Sequence, residues 1–252
     1  MPATGRVFVR NVYGNVRIAV WDRPEIKIVS VKTADSREKL KTVEIVVQNQ
    51  PNRLCIASKY DSGRSLKEWL GIAADPCGDP PKISGARSQL ATVDYTISLP
   101  RSAGLVVISS EGDVDIQGTA GSLFVDIEKG HLTALDISGD CKLYGSYSGV
   151  NVTLNTLALD THIESAVGPL VVRLASSISA RIHAISGGRI VENDFGWSTG
   201  PNKKELQATL GGGKTLLDLS SSGGRVEIHR LTPPQPQKEQ GKSAPPARGK
   251  KK

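Results

Sequence analysis

The chain has 252 residues, 32 Lys+Arg against 25 Asp+Glu for a formal net charge of +7, and 38% apolar residues of which few are aromatic. That length and balance fit one large β domain or two small ones, and they exclude a coiled coil, a collagen-like chain and a wholly disordered one. No run of about 18 apolar residues occurs, which excludes a transmembrane helix within these residues.

Met1 to Gly5 leads straight into a strand-like segment, with no basic-then-apolar signal region. Asn11 to Val20 has a turn-glycine-strand form around Gly14, and Glu25 to Thr33, Val43 to Gln48, Arg53 to Ser58 and Val93 to Leu99 all alternate apolar with polar residues. Residues 59–92 break this pattern. Within them Leu66, Trp69 and Leu70 are spaced as one helical turn after Ser65 as N-cap, and Asp75 to Pro81 reads as loop. An insertion of this length is either a functional protrusion or a cover over strand edges that would otherwise stay unpaired, and the cover is the better reading.

A repeat follows. Gly112, Gly130, Gly149, Gly168, Gly187 and Gly224 each precede a short alternating strand, at intervals of 18, 19, 19, 19 and 37 residues, the last being about two periods. In Leu123 to Glu128, the residues Leu123, Val125 and Ile127 point one way while Asp126 and Glu128 point the other. Each unit is too short to bury its own apolar face, so successive units must stack. The expected fold is all-β: a single-domain β-solenoid over residues 1–231, read as a right-handed β-helix with 18–19 residues per coil. A narrow aliphatic interior has little room for rings, which accounts for the low aromatic content. Glycine is expected at the corners because the turns there call for positive φ.

Residues 232–252 contain no aliphatic residue larger than alanine and carry six basic residues against one acid, which reads as a disordered tail. The remaining body holds 26 basic and 24 acidic residues, so most of the net charge belongs to the tail. Such a tail can meet an anionic partner, but a solubilising tail with no dedicated partner is the better reading, and no specific nucleic acid is expected.

The succession of turns Ser110-Glu111-Gly112-Asp113-Val114-Asp115-Ile116, Tyr147-Ser148-Gly149-Val150-Asn151-Val152 and Ser221-Ser222-Gly223-Gly224-Arg225-Val226-Glu227-Ile228 resembles the bacterial putative-adhesin family, a domain of unknown function. The strand Val93 to Pro100 and the run Leu210 to Lys214 resemble it as well. The resemblance covers roughly residues 5–231. It implies a β-solenoid with a non-enzymatic role at the cell envelope or surface, and an envelope polymer or another protein as partner. It brings no catalytic residues. Members are commonly exported or anchored, whereas this chain shows neither a signal region nor an anchor.

Other motifs lack the context their chemistry needs. Gly211-Gly212-Gly213-Lys214-Thr215 ends like a phosphate-binding loop, but Ala208 replaces the required glycine and a strand, not a helix, is expected next. Gly196-Trp197-Ser198-Thr199-Gly200 matches a nucleophile elbow without the flanking strand and helix, so it reads as a loop with an exposed Trp197 that can pack on an end of the stack. Asp61-Ser62-Gly63 is a weak match to an aspartic-protease triplet and has no second copy. His131, His162, His183 and His229 show no metal spacing and read as solvent-facing polar rungs.

The enzymatic rival is a carbohydrate-active β-helix enzyme using the strand acids Asp113, Asp115, Asp126, Glu128 and Asp136. Rungs about 4.8 Å apart can bring two carboxylates to the spacing that glycosidic chemistry needs. Of three cysteines, Cys141 falls in a strand as a small apolar residue, while Cys55 and Cys77 bracket the insertion and are expected to pair if the protein is exported. The leading expectation is a non-catalytic binding or structural module with no catalytic residue, cofactor or metal.

Overall fold

The computed structural model describes residues 5–60, 77, 90–188 and 191–232. The helical turn expected after Ser65, nearly all of the insertion and the tail beyond Thr232 lie outside the described residues.

The fold is all-β, and among the described residues seventeen strands are joined in one hydrogen-bonded sheet. Arg6–Tyr13 (β1) turns at Gly14 into Val16–Trp21 (β2). Lys27–Thr33 (β3), the single-turn helix Arg37–Leu40 (α1), Val43–Gln50 (β4) and Arg53–Tyr60 (β5) follow. After the insertion come Thr92–Pro100 (β6), Gly104–Glu111 (β7) and Val114–Gln117 (β8). Leu123–Ser138 (β9) and Cys141–Thr156 (β10) are long strands that each serve as two. Thr161–Ser165 (β11), Leu170–Leu174 (β12), Ala180–Ser186 (β13), Val191–Asn193 (β14), Glu205–Leu210 (β15), Thr215–Ser221 (β16) and Val226–Arg230 (β17) complete the chain.

Strands pair off into two-strand units that stack in parallel. Through the middle the stacking follows the chain: Leu105 faces Leu123, and Leu123 faces Cys141, a step of 18 residues each time. The next step is 20, with Lys142 opposite His162 and Val150 opposite Leu170.

At both ends the order departs from the sequence. The unit β16–β17 lies between β11–β12 and β13–β14, so Leu219 faces Ile163 on one side and Ala184 on the other. The interval from Gly187 to Gly224 therefore marks an intercalated unit rather than two successive ones. At the other end β1–β2 lies between β5–β6 and β7–β8, with Val9 facing both Ile56 and Val107. Three strands run antiparallel to the stack: β4 on β5, β3 on β6 and β15 on β13.

Alternation places one residue in two inward, and the register turns these into ladders. Ile56, Val9, Val107, Val125, Leu143, Ile163, Leu219 and Ala184 stand in succession along the first strands of the units. Ile97, Ile18, Ile116, Ala134, Val152, Val172 and Ile228 do so along the second strands. All of them are buried. Each large aliphatic removed from water contributes roughly 1.5–3 kcal/mol, so a stack of weak units is held by two continuous apolar seams.

Two constraints act at the glycine corners, positive φ and close approach of the adjacent unit, and Gly112 and Gly130 are under both, since a Cβ there would also overlap the carbonyls of Gly14 and Gly112. Gly112 and Gly130 have φ of 140° and 133°, as expected for turns that favour glycine. Gly168, Gly187 and Gly224 do not have positive φ; there a Cβ would overlap a backbone carbonyl of the adjacent unit, that of Ser148, Ser222 and Gly168 respectively. Gly149 has room, its nearest neighbours being ordinary contacts at 3.7 Å. Close approach of the units, not φ alone, selects glycine. Buried serines complete the corners: Ser165 Oγ donates within 2.8 Å of the carbonyls of Ser148 and Gly168, and Ser186 Oγ donates to Gly224 O at 2.8 Å.

Candidate functional site

With one face of every strand committed to the interior, chemistry is left to the outward residues. On the first strands, Ile163, Leu219 and Ala184 stand side by side in the inner ladder. Their preceding residues, His162 on β11, Asp218 on β16 and His183 on β13, are therefore aligned on the outer face. His162 Nδ1 lies 2.8 Å from Asp218 Oδ2, and His183 Nδ1 lies 2.9 Å from Asp218 Oδ1. One carboxylate thus holds two imidazoles from strands on either side of it. The outer ring nitrogens face carboxylates in turn, His162 Nε2 at 3.5 Å from Glu164 and His183 Nε2 at 3.7 Å from Glu205. The result is a row, Glu164–His162–Asp218–His183–Glu205, across four adjacent strands. A concavity of about 500 Å³ opens beside His183, with Arg181, Gln207, Thr209 and Leu216 in its wall.

Aromatic rings extend this row toward the middle of the stack. Tyr144 on β10 packs on His162 with centroids 5.4 Å apart, and Phe124 on β9 packs on Tyr144 at 5.7 Å. Asp126 lies beside them, where burial, and secondarily the neighbouring Glu128, raises its carboxyl above the ordinary range. The histidines had read as separate polar rungs. Alternation places each on an outer face, but partners 56 and 35 residues away in sequence carry no local signal of contact.

The strand acids do not gather in one cleft. Asp115 stands on the face of the second strands, 3.7 Å from Arg17, whereas Asp126 and Glu128 stand on the face of the first strands. Asp113 sits at a bend, accepting the His131 backbone N–H at 2.9 Å. Asp136, at a bulge within β9 with φ of 56°, pairs with Arg101 at 3.2 Å and accepts from Asn155.

Elsewhere, Phe195 and Trp197 stack at 4.2 Å with Arg230 4.5 Å over the Phe195 ring. Trp197, expected to be exposed, is half-buried against the core because the Asn193 side chain accepts from the backbone N–H of both Phe195 and Trp197 and folds the loop inward. The glycine run before Lys214 is followed by β16, not by a helix. Cys55 and Cys77 are joined as a disulfide with Cα atoms 6.0 Å apart, and Cys77 lies against the Phe8 carbonyl. Cys141 is buried in the inner face of β10, which pushes its thiol up to about 12. Among the described residues, no group of three or more His, Cys, Asp or Glu side chains is placed to hold one metal ion, and no helix is long and apolar enough to cross a membrane.

No protein-family model matches the chain, and no curated protein matches it. Two solved structures are similar. One is a putative cell adhesion protein from Clostridium sporogenes, with 14% identity and a TM-score of 0.48, over 91% of this chain and 94% of that one. The other is a putative adhesin from Bacteroides fragilis, with 12% identity and a TM-score of 0.37 over the same shares.

Proposed function

We propose that the chain is a non-enzymatic, adhesin-like binding module of the bacterial cell envelope, built as a β-solenoid. The parallel steps of 18 and 20 residues support the solenoid reading, and right-handedness follows from the general chirality of parallel β connections. The observation that carries the binding role is the outward strip Phe124–Tyr144–His162–Asp218–His183. It crosses five adjacent strands and joins ring faces to hydrogen-bonding groups, the combination that suits an extended polymer with apolar faces and hydroxyl edges. The scattering of the strand acids over two faces, a bend and a bulge counts against the carbohydrate-active enzyme.

Co-sedimentation with purified, insoluble cell-wall polysaccharide tests this reading. The wild type is expected to pellet with the polymer, and the Phe124→Ala/Tyr144→Ala variant to stay largely in solution while keeping its melting temperature. Release of soluble sugar by the wild type, abolished by Asp126→Asn, would instead establish the enzyme.

A further inference from the structure

We propose that the row Glu164–His162–Asp218–His183–Glu205 binds zinc-class divalent cations at two paired sites, His162 with Glu164 and His183 with Glu205, both oriented by Asp218. His162, Asp218 and His183 are shared with the proposed binding strip, but the inference does not rest on the adhesin reading, and its test reads metal binding without the polymer.

The geometry of Asp218 comes first. A histidine that donates its Nδ1–H to a carboxylate has its Nε2 lone pair directed away, and this is the arrangement by which metal-binding imidazoles are held. Asp218 holds two rings in this way, one per carboxylate oxygen, at 2.8 and 2.9 Å. Tyr144, packed at 5.4 Å with its ring tilted by 40°, further restricts the plane of His162.

The outer nitrogens supply the second observation. Their distances of 3.5 Å to Glu164 and 3.7 Å to Glu205 are long for hydrogen bonds. They are close to the separation of two ligands on one tetrahedral ion, about 3.4 Å for bonds of about 2.1 Å. His162 and Glu164 are two residues apart on one strand and share its outer face. His183 and Glu205 are brought together by the antiparallel pairing of β13 with β15. Each site therefore offers one imidazole and one carboxylate and leaves the remaining positions to water or to an outside donor. That agrees with the lack of any three-residue group among the described residues.

Donor chemistry selects the ion. Imidazole with carboxylate suits zinc, nickel or copper, whereas calcium and magnesium prefer all-oxygen shells. Charge acts in the same direction, since three carboxylates crowd this row while Lys142 and Arg181 are the cationic side chains on the strand positions flanking it. The concavity beside His183 gives its site an open approach. The other histidines are set differently. His131 has a side chain 80% exposed and one carboxylate partner, Asp113; His229 also lies between two carboxylates, but its short contact, 3.1 Å to Glu227, is at Nε2, while Nδ1 is 3.5 Å from Asp194.

The test is isothermal titration of the tag-free full chain with zinc chloride, repeated with magnesium chloride. Two zinc ions per chain and no magnesium binding are expected. His162→Gln should leave one ion, His162→Gln/His183→Gln none, and His131→Gln/His229→Gln two. Asp218→Asn should weaken both sites 10- to 100-fold, the usual effect of removing a carboxylate that orients a ligand histidine. Melting temperatures measured without metal identify any variant that misfolds, and loss of the zinc-induced rise in melting temperature in His162→Gln/His183→Gln provides a second readout. No zinc binding by the wild type, or two ions retained by His162→Gln/His183→Gln, would overturn the assignment; an unchanged affinity in Asp218→Asn would overturn the positioning role.

Discussion

The middle of the stack and its two ends use the same ladders but are assembled differently. From β7 to β12 each unit rests on the unit that precedes it in the chain, 18 or 20 residues away. At the ends, β1 meets β7 at a separation of 98 residues, β2 meets β6 at 79, and β16 meets β11 at 56. Closing a loop of 98 rather than 18 residues costs about 1.5 kcal/mol more. One buried aliphatic in a ladder offsets that. Distance in sequence is therefore a minor matter for stability and a major one for order of assembly, because local pairings close before distant ones. The middle is expected to form first and to receive the end units afterwards.

Breaking the common element should have the largest effect. Leu143 is fully buried between Val125 and Ile163, and Leu143→Ala is expected to cost about 2–5 kcal/mol, read from chemical denaturation. An equal loss on denaturing β9–β10 and the end units together would mean one cooperative block. Native-state hydrogen exchange separates the two cases: amides of β9 and β10 should exchange last, and those of the antiparallel strands β3, β4 and β15 first. Uniform protection would erase the distinction.

Next in size is the disulfide, which acts at one end only. Reduction of Cys55–Cys77, a closure of 22 residues, should lower stability by about 3 kcal/mol. Thiol titration should find no reactive group in the native oxidised protein and one after unfolding, because Cys141 is buried and its thiol is pushed up to about 12. Three thiols in the unreduced, unfolded protein would show that the bond is absent.

The corner glycines sharpen the comparison further. Gly168→Ala forces a Cβ into the Ser148 carbonyl and should cost about 2 kcal/mol, whereas Gly149→Ala, with its neighbours at 3.7 Å, should change stability by less than about 0.5 kcal/mol. Equal losses at both positions would mean that contact between units does not set the requirement.

The smallest effect is electrostatic. Burial and Glu128 raise the Asp126 carboxyl in the folded state, so ionisation at neutral pH opposes folding. Asp126→Asn should raise the melting temperature slightly near pH 7. The gain should fade as pH falls through the raised value toward that of an ordinary carboxylate, where wild type and variant should melt alike. A gain that grew on acidification would contradict the shift.

Much of this molecule was legible from residue order. Alternation in Leu123 to Ile127 gives the inward face, and the spacing of Gly112, Gly130, Gly149 and Gly168 gives the period of the middle. The Gly187 to Gly224 interval misleads, because a period counts residues along the chain and says nothing about which unit lies on which. The row at Asp218 was invisible for the same reason. His162-Ile163, Asp218-Leu219 and His183-Ala184 each show a polar residue before a buried one, and nothing local joins the three.

The chain by itself determined that the fold is all-β, which side of each strand is buried and where the backbone must turn, since these depend on side-chain alternation and on the stereochemistry of single residues. Only the tertiary structure decided which units become neighbours at the ends, because an apolar ladder accepts any unit of matching register and loop length barely discriminates among them. The shared Asp218, the antiparallel strands at both ends and the carbonyls that exclude a side chain at Gly168 and Gly224 all follow from that choice of neighbour.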